Sequence, residues 1–438
     1  GNMSFFSDSL KAKILETVLS NLRLPTERRV GVEIETILYD KKLRRLPVNL
    51  GGGYSAQNLI KNLIHLQKNE NDPCSYSLEP GGQLEWASLP FVSLHEINSQ
   101  WNIHTKILEK LCADNGLIPI DFALEPIYRP DEIDLINSTK YRLMNDRFKS
   151  VGSRGPWMMR NSASVQVNID ITCKEDGEEM ALVADCLQPF CFLLFSHVPF
   201  IHGKCAENKN YRLRVWNNTD SSRCGYLLDH GINQNQNLLE SFVDYMLSVP
   251  AIFILNQNSD VTGYEGSLGE WLYSLNDKGK LSPEYIQLAL HQIFTHVRFK
   301  HVLEVRGADR PPFGYELAPA AFWCGLLTAP GVRKSIFERV CTWSKKERLT
   351  LNKTAETLDL TQVGPEGISC GEWLKIVSDL AIQGLDERAE FFEIKSERRF
   401  LEPFINKALS RPWALRVQDS FKESGGSLLS YLQENYLK

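Results

Sequence analysis

Several features are missing from this 438-residue sequence, and each absence narrows what the chain can do. Its ten cysteines form no Cys-x-x-Cys pair. That argues against a zinc ribbon and against a small disulfide scaffold, and reduced thiols in a cytoplasmic protein are expected. There is no basic excess: the formal net charge is −5, so nucleic acid is not an expected partner. No apolar run is clean enough to span a membrane. The most apolar stretch, Ala181 to Ile201, carries Asp185, Gln188, Pro189 and His197 and reads as a buried helix. The opening Gly-Asn-Met lacks a charged segment followed by an apolar one. No secretory leader is expected there, and Gly1-Asn2 reads as an expression remnant before Met3. The sequence holds no Gly-x-x-x-x-Gly-Lys-Ser/Thr motif, so a P-loop is excluded. Internal repeats and low-complexity tracts are also lacking.

What is present is a chain with 43% hydrophobic residues, long enough to bury a large core. Helical spacing occupies residues 8–22, 55–67, 177–197, 282–293 and 315–327. A longer helix is predicted from Ser93 to about Asp114, with Ser93 and Glu96 as a capping box and Gly116 as its stop. Strands are predicted over 29–39, 163–171 and 301–306, and 78–85 reads as a strand bent at Gly81-Gly82. After Gly331 the pattern is helical. Strands and helices are mixed early and segregated late, which favours α+β over a regular βαβ alternation. No Pro/Gly/Ser linker divides the chain. One catalytic domain is therefore expected over 1–438, its sheet-bearing part over about 24–330 and a helical C-terminal portion over about 331–438.

Side chains alternate along a strand, so positions i and i+2 share a face. Glu33 and Glu35 face one way, Val32 and Ile34 the other. Gln166, Asn168 and Asp170 oppose Val165, Val167 and Ile169. Glu304 and Arg306 share a face, and Glu79 and Glu85 flank the Gly-Gly bend. An antiparallel sheet with one wet face produces this pattern. A single such strand is ordinarily just solvated. Glutamate, however, is depleted in strands, and five clustered carboxylates cannot all stay ionised without compensation. Hard divalent cations held by oxygens would supply it, Mg²⁺ above all where phosphates share the coordination sphere. Arg306 among them suits an anion whose charge grows during reaction.

At this point the residues resemble a family. Gly31-Val32-Glu33-Ile34-Glu35, Leu78 to Glu85, Lys140 to Met144, Met158-Met159 with Ser164 to Asp170, Arg212 to Trp216 with Asp220, and Leu303 to Asp309 occur in the order seen in plant-type glutamate–cysteine ligases and their bacterial relatives of the second family. The resemblance covers roughly residues 29–330. It implies a fold like the glutamine synthetase catalytic domain, a curved antiparallel sheet flanked by helices. It also implies ATP, Mg²⁺ and L-glutamate as ligands, with cysteine as the amine acceptor. Carried over by position, Glu33, Glu35, Glu79, Glu85 and Glu304 would bind metal. Arg306 would act on the transferred phosphate as the catalytic residue. Arg212 would hold the glutamate substrate, with Gln166 and Asn168 on the same face. The chain departs from plant members at Arg160-Asn161, where many have arginine then Thr or Ser. It shows no assured counterpart of their regulatory cysteines. The same residues leave other readings open: the same chemistry on another amine, a non-catalytic glutamate- or nucleotide-binding homologue, or a phosphotransferase of the guanidino-kinase architecture.

Other motifs carry less. Gly367-Ile368-Ser369-Cys370-Gly371 fits G-x-S-x-G, but no apolar strand precedes it, so it reads as a helix start. Gly51-Gly52-Gly53-Tyr54-Ser55-Ala56 fits G-x-G-x-x-A. Its preceding strand is short and holds Pro47, and Asp72 lies in a loop-like run, so it reads as a loop before a helix. His291, His296 and His301 recur every five residues, which suits neither one helical face nor one strand face; they read as ordinary, partly buried histidines. The basic run at Lys395, Arg398 and Arg399 reads as a solvated helix face.

Overall fold

The structure is a computed structural model that describes residues 7–51, 53–68 and 73–437; Gly1-Asn2, Gly52 and Asp72 lie outside the described residues. The apolar halves of the alternating segments become strands as expected. The strands are β1 (Val30–Asp40), β2 (Ser75–Leu78), β3 (Leu84–Ala87), β4 (Leu117–Ile120) and β5 (Ser164–Ile169). Then come three short ladders: β6 (Phe200–Ile201) with β7 (Lys204–Cys205), β8 (Cys224–Gly225) with β11 (Phe294–Thr295), and β9 (Ile254–Leu255) with β10 (Val261–Thr262). Last are β12 (Val297–Phe299) and β13 (Leu303–Asp309). Seven strands form one sheet in the order β12-β13-β5-β1-β3-β2, with β4 paired to the far half of β1. Every pair in that sheet is antiparallel, as an α+β chain requires.

One sheet face carries Val32, Ile34, Val165, Val167, Ile169, Leu303 and Val305, all buried in a cluster that runs from Leu10 to Ile405. The helix Lys174–Phe195 lies against it. This is the stretch whose hydropathy was strongest, and it is apolar nearly all round because it is covered on all sides. No helix among the described residues is long and apolar enough to cross a membrane. From Ala318 onward the described chain is helical, with no strand.

Local expectations were corrected where a distant partner intervened. The segment 78–85 is a hairpin, not one strand: β2 stops at Leu78, β3 starts at Leu84, and Gly82 turns the chain at φ 84°. The Ser93/Glu96 capping box does not form. Ser93 Oγ accepts from His95 N at 3.1 Å, while Leu94 N donates to Glu397 Oε2 at 2.8 Å. Glu397 is fully buried and paired with Arg388 at 2.8 Å, so a fixed carboxylate has taken the place of the local one. The strand predicted from His301 begins at Leu303, because Lys300 to Val302 turns the chain back from β12. Arg398 and Arg399 sit on a short 3₁₀ turn rather than a helix face, and Arg398 pairs with Asp386 at 2.7 Å and with Glu402. Gly367–Gly371 does begin a helix, Cys370–Phe391, whose N-cap is Ser369.

That helix crosses Ala318–Leu327 at two glycines. A Cβ on Gly384 would lie 1.7 Å from the carbonyl oxygen of Gly325, and one on Gly325 would lie 2.1 Å from that of Ala381. Backbone meets backbone here, so nothing flexible can yield. Gly384→Ala should gain roughly 1 kcal/mol of helix propensity yet lose about 1–3 kcal/mol or more to overpacking. Net destabilisation in urea unfolding is expected; equal or higher stability would show that the helices slide apart freely.

Candidate active site

The polar sheet face is assembled by register. Glu35 on β1 stands directly opposite Glu85 on β3. Glu33 stands opposite Gln166 on β5, and Asn168 opposite Glu304 on β13. Arg298 on β12 stands opposite Glu304. Glu79 comes in from the turn between β2 and β3, and that turn is pinned from below. Gln83 Nε2 donates to the carbonyls of Met159 (3.2 Å) and Ser162 (2.9 Å), and Arg45 Nη2 bridges the carbonyls of Gly81 and Arg160 at 3.0 and 2.9 Å. A Cβ on Gly81 would stand 2.5 Å from the Arg160 carbonyl, so only glycine permits this approach.

The carboxylates divide into two groups. Oxygens of Glu35, Glu79 and Glu85 lie within 4.8 Å of one another. Ser164 N and Oγ donate to Glu35 Oε1 at 2.8 and 2.9 Å, Ser77 Oγ donates to Glu85 at 3.2 Å, and Glu79 hydrogen-bonds with both Glu35 and Glu85. No arginine or lysine among the described residues forms an ion pair with this trio. Burial and then mutual repulsion with Glu35 and Glu85 hold the Glu79 carboxyl far above the usual range. Burial also raises Glu35 and Glu85, with Arg212 pulling Glu35 partly back. Burial, then the charges of Glu85 and Glu304, lifts Glu33 from 4.5 to about 7.

Glu304 is the opposite case. Burial opposes its ionisation, but Arg298 (2.5 Å), Lys300 (3.6 Å) and Arg306 (3.7 Å) outweigh that and hold it well below the usual range. Gln166, with its amide turned to suit its neighbours, donates to Glu33 Oε2 at 3.2 Å and Glu304 Oε1 at 2.5 Å. Asn168 Nδ2 donates to Glu33 at 3.2 Å, while its Oδ1 is buried without a partner. Burial and the neighbouring Arg298 lower Arg306 to about 10, so it stays charged at neutral pH. Its guanidinium lies 5.7 Å from the ring centroids of Trp216 and Phe294. Arg212, 3% exposed, is held under the sheet. Its Nη1 donates to the Gly307 carbonyl (3.1 Å) and Asp309 (3.3 Å), its Nη2 contacts the Arg306 carbonyl at 3.5 Å, and its Nε has no partner.

All nine residues singled out from the sequence thus lie on or just beneath one sheet face. Asp170 does not join them: it sits past the end of β5 and pairs with Arg29 at 2.8 Å. The three histidines scatter, His296 buried between Phe192 and Tyr226 and the other two exposed. Sequence reading missed Arg298, Lys300 and Ser164. Arg298 and Glu304 lie opposite each other on an antiparallel hairpin, a signal that was available once the turn at Lys300–Val302 was recognised.

An oxygen-only set of three carboxylates, with no ion-paired side-chain cation among the described residues, suits a hard divalent cation. The titration of the neighbouring Glu33 gives the sign. A carboxyl whose pKa is raised on folding favours the fold while protonated. Glu33 therefore contributes stability in acid that is lost as pH rises from about 4.5 to about 7. A bound cation would reverse the loss. In cation-free buffer, Mg²⁺ should raise the melting temperature more at pH 7.5 than at pH 5.5. Equal shifts at both, or none, would remove the cation from the trio.

The chain matches the sequence profile of glutamate-cysteine ligase family 2 (GCS2) over residues 29–367. It is 30% identical over 354 residues to glutamate–cysteine ligase B, chloroplastic, of Oryza sativa subsp. japonica, covering 76% of this chain and 68% of that one. It is 31% identical over 327 residues to glutamate–cysteine ligase, chloroplastic, of Arabidopsis thaliana, covering 72% of this chain and 60% of that one. The matched region thus spans 68% and 60% of the length of these two relatives. Its fold is similar to that of a Francisella tularensis glutamate–cysteine ligase solved in complex with AMP, with a TM-score of 0.56 at 12% identity, covering 94% of this chain and 88% of that one. With the six motifs in order, the carboxylate face assembled and the profile matched over most of its length, the chain belongs to glutamate-cysteine ligase family 2.

Proposed function

We propose that this chain uses ATP to join the γ-carboxylate of L-glutamate to the amine of L-cysteine through a γ-glutamyl phosphate, giving γ-glutamylcysteine for glutathione-type thiol biosynthesis. The observation that carries this is the bare trio Glu35, Glu79 and Glu85 beside the cation cluster Arg298, Lys300 and Arg306, in a chain of this family.

Glu33, Glu35, Glu79, Glu85 and Glu304 would hold Mg²⁺, which when bound neutralises phosphate charge and fixes its orientation. The chain's own groups do the rest. Arg306 is the residue aimed at charge developing on the transferred phosphoryl group; its position over Trp216 and Phe294 limits its freedom, so little reorganisation is needed. Gln166 and Asn168 tie Glu33 to its strand neighbours and leave the Asn168 carbonyl oxygen for a donor. Arg212, tied to Asp309 and to the carbonyls of Arg306 and Gly307, would hold glutamate. Once the acyl phosphate exists, attack of the acceptor amine on its carbonyl expels phosphate, and no protein nucleophile is needed. The sheet and the C-terminal helices are taken as one catalytic unit because they share one core cluster. A cytoplasmic location belongs to the same proposal and rests on the cysteine pattern.

Phosphate release from Mg-ATP and L-glutamate should depend on L-cysteine and yield a product of γ-glutamylcysteine mass. Release only with another amine would move the acceptor, and none with any amine in folded protein would leave a binding protein. Glu79→Gln should lower turnover about a hundredfold or more with the fold intact; near-normal activity at saturating Mg²⁺ would remove Glu79 from the set. Arg212→Ala should raise KM for glutamate far more than for ATP, whereas equal rises would make Arg212 a structural residue.

A further inference from the structure

Glu79 is held differently from the other two carboxylates of the trio. Glu35 and Glu85 are fixed by ladder register. Glu79 stands in the turn after β2, one residue past Leu78, the last paired position. Once ionised, the trio repels itself, and the turn is the part free to move away. Inside the turn, Glu79 N donates to the Gln83 carbonyl at 2.9 Å and Gly81 N donates to Gln83 Oε1 at 3.0 Å. The anchor that comes from another element is Arg45, which follows β1 and bridges Tyr39.

Arg45 is itself fixed. Its side chain is only 6% exposed, and Nη1 donates to Glu125 Oε1 at 3.3 Å. Glu125 is fully buried. Its second oxygen accepts from Tyr39 Oη, from Ile127 N at 2.8 Å and from Tyr128 N at 3.3 Å. Tyr39 lies on β1 in step with Glu33 and Glu35, because positions 33, 35, 37 and 39 share a face. One chain of bonds therefore starts on the strand that carries Glu35 and runs through Tyr39, Glu125 and Arg45 to the turn that carries Glu79. A buried ion pair is a poor device for stability, since apolar side chains of similar volume often do as well or better. It is a good device for fixing position. The guanidinium is a rigid planar fork, and here its two ends meet an acid on one side and two carbonyls from separate segments on the other.

We propose that Arg45, set in place by Glu125 and Tyr39, is a positioning residue: it holds the Glu79 turn against Glu35 and Glu85 and so sets the affinity of the trio for a divalent cation. The inference rests on the reading of the trio as a cation site.

The test is isothermal titration calorimetry of the full chain with Mg²⁺ at pH 7.5, beside the melting temperature of each variant. Arg45→Lys keeps a charge next to Glu125 but loses the fork. Arg45→Met combined with Glu125→Gln removes both charges and leaves no buried ion unpaired. Each should weaken Mg²⁺ binding about tenfold or more, as loss of a group that orients a metal ligand does. Gly384→Ala is the control, because it should lower the melting temperature without touching the turn and leave Mg²⁺ affinity unchanged. Undiminished Mg²⁺ affinity in either folded Arg45 variant, or an equal loss in Gly384→Ala, would overturn the proposal while the trio kept its cation. Absence of Mg²⁺ binding in the unmodified chain would instead remove the cation reading of the trio, and the proposal with it.

Discussion

Everything in this molecule is arranged around one unfavourable contact: two glutamates facing each other across an antiparallel ladder, with a third brought in from a turn. Like charges directly opposite one another weaken a sheet, and burial multiplies the effect. The fold nevertheless holds Glu35 against Glu85 by register and brings Glu79 to them on a turn locked by Gln83 and Arg45. The cost is met by the opposite face of the same strands, where valines, isoleucines and leucines enter a core continuous with the helices. A strand's two faces thus do separate jobs, one supplying cohesion and the other storing charge.

The storage is not uniform across the sheet. Toward β3 the carboxylates take hydroxyl and amide donors, form no ion pair among the described residues, and are raised by burial. Toward β12 a single carboxylate, Glu304, is surrounded by three cations and stays ionised. Gln166 bridges the two regimes through Glu33 and Glu304. The face is therefore a gradient of charge over a few strands, with excess negative at one side and excess positive at the other. In the proposed reaction, a triphosphate and its counter-cation would present the complementary gradient.

Much of this was legible before any coordinates. Alternation alone put Glu33 with Glu35, Gln166 with Asn168 and Glu304 with Arg306, because a period of two is a local property of the chain. What alternation does not contain is which strand lies beside which. Arg298 therefore went unread: β12 is three residues long, and its partnership with Glu304 exists only in the hairpin. The capping of Leu94 was misread for the same reason. Ser93 and Glu96 make a plausible local pair, but the group that takes the amide is Glu397, folded in from the far end of the chain. Arg212 is intermediate. Its family motif was recognisable, but its tether to Asp309 and the 306–307 carbonyls follows from tertiary packing alone.

The Glu397 contact bears on where this chain can be divided as well as on its stability. The family's recognisable sequence stops at residue 367, yet the carboxylate that caps the helix at Leu94, and the Arg388 that steadies it, both come after that limit. The stretch that the family profile matches and the stretch that is mechanically self-sufficient therefore end at different places along this chain. The part matched by the family profile leans, at one helix end, on a part beyond it. Removing everything past the profile's last residue would strip the Leu94 amide of its carboxylate, so the limit of the family match is not a place where this fold divides cleanly.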